Sequence, residues 1–212
     1  MKLYGYWRSS AAYRVRIVLH LKGIRFESIP VHLVKNGGEQ HSEEYTTLNA
    51  THLVPTLVDE DVVLNQSIAI IDYLDSVYSQ ISVYPKIPAD KAQVQAMALD
   101  IACEVHPLNN LRVQQYLANE LSVGDAEKLA WTHHWMKIGF AALEEKLNKY
   151  AGKYCYGNEV SMADICLVPQ VYNANRFGLD MSAFPNITRI VENCNQLEAF
   201  KLALPENQPD AQ

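Results

Sequence analysis

The stretch from residue 4 to residue 23 constrains the fold more than any other part of the chain. A short aromatic run, Tyr4-Gly5-Tyr6-Trp7, leads into a loop carrying Arg8, Ser9 and Ser10. A helix is predicted to start near Ala11 and stop at Gly23, with Val15, Val18 and Leu19 at i, i+3 and i+4 forming one buried stripe. Phe26 to Leu33 then alternates, with Ile29, Val31 and Leu33 on one face, which is the pattern of a half-buried strand. Strand, helix, strand is a βαβ unit, so its strands should lie parallel across a right-handed crossover. The Ser9 and Ser10 hydroxyls fall where the helix begins. Unpaired N–H groups and the helix dipole stabilise an anion there, and a neutral donor at that position would favour a thiolate. A plain helix cap is the alternative reading of the same two serines.

Gly37-Gly38 marks a loop, and a short helix is predicted from Ser42 to Leu48, ended by Asn49. Val54-Pro55-Thr56-Leu57-Val58 and Val62-Val63-Leu64, separated by Asp59-Glu60-Asp61, read as an antiparallel hairpin. Pro55 cannot donate to a ladder and belongs at a strand start or edge. Ser67 reads as the N-cap of another helix, with Ile70, Ile71 and Leu74 packing inward. Pro85 and Pro88 interrupt the pattern, which divides the chain into a first domain at 1–80, a linker at 81–88 and an all-helical domain at 89–212. Within the last, Lys91 to Tyr116 is read as one segment kinked or broken at Pro107, and Ala126 to Tyr150 as a helix burying Leu129, Met136, Phe140, Leu143 and Leu147. Ser161 with Asp164 has the spacing of a capping box that starts a helix running to Arg176, with Gly178 beyond its end. A further helix is expected from Pro185 to Asn195, and a polar, frayed tail from Pro205.

The 212 residues carry a formal net charge of −6, and no basic run lies outside the first helix, so a nucleic-acid partner is not expected and any anion site must be local. No signal peptide or membrane span is expected, which points to the cytoplasm. Cys103, Cys155, Cys166 and Cys194 form no Cys-x-x-Cys pair and have no zinc-type His spacing, so they read as reduced cysteines with no metal role. His133 and His134 are adjacent rather than a helical turn apart.

Several motifs together resemble the zeta class of glutathione transferases. They are Arg-Ser-Ser-Ala-Ala-Tyr-Arg-Val-Arg-Ile at 8–17, Val-Pro-Thr-Leu at 54–57, Asn-Gln-Ser-Ile-Ala-Ile at 65–70, His-Pro-Leu-Asn-Asn-Leu-Arg at 106–112, Ser-Met-Ala-Asp at 161–164 and Val-Pro-Gln-Val-Tyr-Asn-Ala-Asn-Arg-Phe at 168–177. The resemblance covers nearly the whole chain. It implies an α/β thioredoxin-like N-terminal domain, an all-α C-terminal domain, and a glutathione site in the cleft between them. It further implies a cis peptide at Val54-Pro55, with the Val54 backbone pairing the cysteinyl part of glutathione. Gln66 and Ser67 would bind the γ-glutamyl carboxylate, and Gln40 would lie near the glycyl end. Zeta enzymes often carry Ser-Ser-Cys where this chain has Ser9-Ser10-Ala11, so a covalent or redox role for that cysteine is absent here.

The activity implied is glutathione-dependent cis–trans isomerisation of a maleyl keto acid, as in maleylacetoacetate to fumarylacetoacetate in tyrosine and phenylalanine catabolism. Addition of a thiolate turns the double bond briefly into a single bond, and the enolate that forms must be stabilised. Ser9 and Ser10 would activate the thiol, and Arg8 lies beside it. Arg176 matches the family's substrate-carboxylate contact, and His106, Asn110 and Arg112 match cleft-lining positions. Arg14 and Arg16 are read as bracing the fold or steering anions. Maleylpyruvate isomerisation, general conjugation to electrophiles, and a non-catalytic association module are the competing readings. The family is usually a homodimer.

Overall fold

The computed structural model describes residues 1–212. Two units emerge from the internal packing: Met1–Ser82 together with Gln196–Gln212, and Val83–Asn195.

The first unit is built on a four-stranded sheet. β1 (Lys2–Gly5) runs into α1 (Ser10–Leu21) and then β2 (Glu27–Pro30), and β1 and β2 pair in parallel. Val15, Val18 and Leu19 are fully buried, and Gly23 takes a φ of +64° just past the end of α1. β2 is shorter than the alternation suggested and ends at Pro30, opposite Gly5, the last residue of β1. α2 (Glu43–Leu48) starts at Ser42, whose Oγ accepts the Tyr45 N–H. β3 (Thr56–Asp59) and β4 (Val62–Asn65) form the expected hairpin, giving the order β2-β1-β3-β4 with β3 antiparallel to both neighbours. α3 (Ser67–Val77) follows and packs beside α1.

The C-terminal segment departs from expectation. Residues 196–212 belong with the first unit, not with the helices expected at 89–212. α9 (Glu198–Ala203) packs on α1, and the buried Arg16 explains how it is fastened. Its Nε donates to the Ala203 carbonyl at 3.1 Å and its Nη2 to the Trp7 carbonyl at 2.9 Å. The tail is correspondingly not frayed. Pro205 is buried, and Asp210 Oδ2 accepts the Trp7 N–H at 3.0 Å.

The second unit is helical throughout. α4 (Pro88–Leu99) begins with a proline, where no intrahelical donor is needed. The predicted long segment then passes through a π turn at Asp100–Val105 and a 3₁₀ turn at His106–Asn109 before α5 (Leu111–Asn119). Pro107 therefore does not stop the helix at His106, whose N–H donates to the Ile101 carbonyl. Instead the chain changes its winding across the proline. α6 (Asp125–Tyr150) packs against this irregular stretch at Gly139, where a Cβ would overlap Val105 Cγ2. Met136, Phe140, Leu143 and Leu147 are buried as expected. Leu129 is exposed, because it lies in the first turns of the helix, ahead of the packed length.

α7 (Met162–Arg176) packs with α4 and with α8 (Pro185–Asn195), and nearly all of it is buried. Asp164 organises its start, with Oδ2 accepting the Ser161 N–H at 2.9 Å and the Ser161 hydroxyl at 2.8 Å, and Oδ1 accepting the Cys155 N–H at 2.8 Å. Glu144, from α6, serves α8 similarly, accepting the Asn186 and Ile187 N–H groups at 2.7 and 3.0 Å.

Two outcomes follow for stability. Adding a methyl at Gly139 forces α6 off the π turn, so Gly139→Ala should lose about 1–3 kcal/mol in urea unfolding. Asp164→Ala should lose about 2–4 kcal/mol at neutral pH, since it strands buried donors. Desolvation raises the Asp164 carboxyl above its ordinary value, while the donors of Cys155 and Ser161 pull it down. A raised pKa gives stability that is full below the unfolded value and declines as pH rises through the folded one. The gap in stability between the native protein and the Asp164→Ala variant should therefore widen as pH falls from neutrality to the ordinary carboxylate range.

Candidate functional site

The sheet topology brings three separate chain segments to one edge. β1 and β4 run in the same direction, since each is antiparallel to β3. Tyr4, Thr56 and Asn65 stand side by side in the register, near the ends of β1 and β4 and at the start of β3. The loop to α1, the Val54–Pro55 peptide and the start of α3 all leave from that edge, and the Val54–Pro55 bond is cis as the resemblance implied. Both helix N-termini, the positive ends of their helix dipoles, accordingly open on the same side of the first unit.

Ser9 is the N-cap of α1. Its Oγ accepts the Ala12 N–H at 3.2 Å, and its own N–H donates to the Tyr6 carbonyl at 2.9 Å. Capping and thiol activation are compatible, because a hydroxyl that accepts through a lone pair keeps its hydrogen for donation. Ser10 lies one residue inside the helix and is only 8% exposed, whereas Ser9 is half-buried. Arg8 is exposed, its Cζ lying 4.4 Å above the Trp7 ring and its Nη2 3.5 Å from the Tyr6 hydroxyl.

At the second helix start the sequence reading shifts by one residue. Gln66, not Ser67, occupies the N-cap position, with a φ of +67°, and Ser67 is the first helical residue. The chain makes its sharp turn at Gln66, which places the Ser67 hydroxyl inward, where Arg14 Nη1 donates to it at 3.2 Å. Arg14 is 2% exposed. It braces the two helix starts against each other and leaves its positive charge beneath them. Gln40 lies in the loop beyond β2, is buried, and sets its Nε2 3.1 Å from His41 Nε2, while its Oε1 has no hydrogen-bond partner in the protein.

In the helical unit, Asn110 is the N-cap of α5, its Oδ1 accepting the Arg112 N–H at 3.1 Å. Arg112 is exposed, and His106 is half-buried at the start of the 3₁₀ turn. Arg176 ends α7 on the surface. Its Nε and Nη2 both donate to Asn173 Oδ1, at 3.3 and 2.8 Å, and its Cζ stands 4.3 Å over the Phe177 ring. Asn173 Nδ2 in turn donates to Asn109 Oδ1 at 3.0 Å, and Asn109 Nδ2 to the Val105 carbonyl at 2.7 Å. These two asparagines were not singled out by sequence reasoning. Asn109 sits three residues after His106, and Asn173 sits three before Arg176, a helical spacing that offered a usable signal.

Of the chain's four thiols only Cys103 is exposed, and the other three are not placed for nucleophilic chemistry. Cys155, Cys166 and Cys194 are buried in the helical unit, and burial pushes the Cys155 and Cys194 thiols well above their ordinary range. No group of three or more His, Cys, Asp or Glu side chains is arranged to hold a metal ion. No helix is long and apolar enough to cross a membrane.

Comparison with known proteins agrees with this arrangement. Residues 8–77 match the family model of the glutathione S-transferase N-terminal domain, and residues 136–198 that of the C-terminal domain. A probable maleylacetoacetate isomerase of Vibrio cholerae is 55% identical over 209 residues, spanning 99% of this chain and 97% of that protein. The holo structure of a maleylpyruvate isomerase, a bacterial glutathione S-transferase of the zeta class, aligns over 100% of both chains with a TM-score of 0.97 and 38% identity. A maleylacetoacetate isomerase from Methylobacterium extorquens AM1, with malonate and glutathione bound, also aligns over 100% of both chains with a TM-score of 0.96 and 36% identity. The chain belongs to the glutathione S-transferase family, in its zeta class.

Proposed function

We propose that the protein catalyses the glutathione-dependent cis–trans isomerisation of a maleyl keto acid, with maleylacetoacetate, converted to fumarylacetoacetate, as its substrate. The observation that carries this reading is the opening of two helix N-termini, bearing Ser9 and Ser67, on one sheet edge of an otherwise acidic protein. The residues there fit glutathione. Ser9 offers a neutral donor for a thiol, the start of α3 with Gln66 and Ser67 suits a carboxylate, and the unpartnered Oε1 of Gln40 suits a peptide N–H. Val54, preceding the cis proline, would pair its backbone with the cysteinyl unit.

When bound, glutathione supplies the thiolate that adds to the maleyl double bond and leaves after rotation. Ser9, the more exposed of the two serines, would donate a hydrogen bond to the thiol of bound glutathione and favour its ionised form, with Ser10 supporting the loop beside it. Arg8, exposed in the same loop, would supply a positive charge that stabilises electron density developing on the substrate's keto oxygens. Arg176 takes a substrate carboxylate through its guanidinium fork. His106, Asn110 and Arg112, on the segment that leads into α5, would add further ligand contacts from the helical unit. The substrate is a small anion, and the local positive potential attracts it despite the net charge of −6. We further place the chain in the cytoplasm as a homodimer. Its four cysteines form no disulfide, which suits a reducing compartment, and light scattering of the purified protein measures its mass.

The deciding assay follows loss of maleylacetoacetate with and without glutathione, beside maleylpyruvate. Turnover that needs glutathione and returns it unchanged supports isomerisation. Accumulation of a thioether product, or turnover indifferent to glutathione, overturns it, and a much higher kcat/KM for maleylpyruvate reassigns the substrate. Ser9→Ala should lower kcat by about 10²–10³-fold, as for the loss of one preorganised donor. It should also move the rising limb of the pH–rate profile to higher pH, because a thiol without its donor ionises less readily.

A further inference from the structure

Arg176 is a surface residue at a helix end, where a long side chain ordinarily samples many rotamers. Here it is tethered at two nitrogens to one oxygen of Asn173, a residue only 7% exposed. The hydrogen bonds behind Asn173 have a fixed polarity. A guanidinium can only donate, so Asn173 must turn its oxygen towards Arg176 and its amide towards Asn109. Asn109, 4% exposed, then presents its oxygen to Asn173 and its amide to the Val105 carbonyl, which can only accept. Donor and acceptor ends both agree with the order observed. The amide orientations are thus set by chemistry at each end of the relay.

The far end of the relay is the place where the helix changes from π to 3₁₀ winding. Val105 is the last residue of the π turn, and Asn109 closes the 3₁₀ turn that begins with His106. Asn110, the next residue, caps α5, which carries Arg112. A chain of hydrogen bonds, buried from Asn173 inward, therefore joins Arg176 to the segment presenting His106, Asn110 and Arg112.

We propose that Asn173 and Asn109 are positioning residues for substrate binding, holding the Arg176 guanidinium in register with the 106–112 segment so that the carboxylate anchor is ordered before substrate arrives. The proposal rests on the reading of Arg176 as that anchor. An ordered guanidinium avoids immobilising a rotamer-rich side chain on binding, which lowers KM for an anionic substrate and leaves the chemistry at the sulfur untouched. Asn173 orients the guanidinium through a neutral amide oxygen, where a carboxylate at position 173 would neutralise it.

A double-mutant cycle tests this. Asn173→Ala and Asn109→Ala are each made in the native chain and in an Arg176→Ala chain, and KM and kcat for the maleyl substrate are measured with saturating glutathione. Thermal unfolding is recorded for every variant. The expected result is a KM raised about 5–20-fold by either asparagine change, kcat altered less than about twofold, and no further rise in KM once Arg176 is already alanine. Effects that add in the Arg176→Ala background, or that fall on kcat, overturn the proposal and assign the asparagines to packing alone. Should either alanine variant fail to fold, Asn173→Asp keeps the volume and the acceptor. It is expected to raise KM by at least as much, through neutralisation, and an unchanged KM overturns the proposal. The same cycle is read on the affinity for malonate by calorimetry, which requires no turnover. Coupled loss of malonate binding upholds the relay even if maleyl substrates are not isomerised. An Arg176→Ala protein with unaltered KM and malonate affinity overturns both the relay and the anchor.

Discussion

A guanidinium placed under two helix starts is the constraint on which the first unit depends. Arg14 is buried, and its bond to Ser67 ties α1 to α3 at the sheet edge where both helices begin. A charge in that position is costly to desolvate unless it is bonded, so the two helix starts are held in a defined relation. Its sign also matters. The helix dipoles and Arg14 all present positive potential on the same side, which lets a protein of net charge −6 keep an anion-attracting surface.

The loop carrying Arg8 and Ser9 is held from a distance in sequence. The Trp7 N–H is taken by Asp210 and its carbonyl by Arg16, which also grips Ala203. The peptide groups flanking Trp7 thus cannot reorient without breaking bonds to the C-terminal segment. The helical unit uses a comparable device. Its backbone is irregular over residues 100–109, and the Val105 carbonyl there is satisfied by the Asn109 side chain. In both units the proposed functional side chains sit beside backbone that departs from regular winding and is secured by buried polar groups.

Much of the fold could be read from local pattern. The βαβ unit, the hairpin and the capping box of Ser161 and Asp164 each rest on contacts within a few residues or on the burial stripe of a single element. The site was legible where residue type and helix start coincide, as at Ser9. It was displaced by one residue at Gln66 and Ser67, because a positive φ in glutamine leaves no mark in the sequence. Asn109, Asn173 and Glu144 escaped notice for another reason. Each is a polar residue whose role is defined by a partner on a different element or a different turn, and periodicity carries no record of such partners. The tail was misjudged similarly, since its polar composition gave no sign that Asp210 meets the Trp7 amide.

The sequence by itself determined the βαβ unit, the hairpin and their strand pairings, the helix start at Ser161, that of α1 to within the pair Ser9 and Ser10, and alanine rather than cysteine at position 11. These follow from propensity, capping and hydrophobic spacing, which act over a few residues at a time. Tertiary structure alone decided that Arg14 lies beneath Ser67, that residues 196–212 close on the first unit, and that two asparagines tether Arg176. Such choices depend on which distant polar groups must satisfy one another once water is excluded, and only the folded chain brings those groups together.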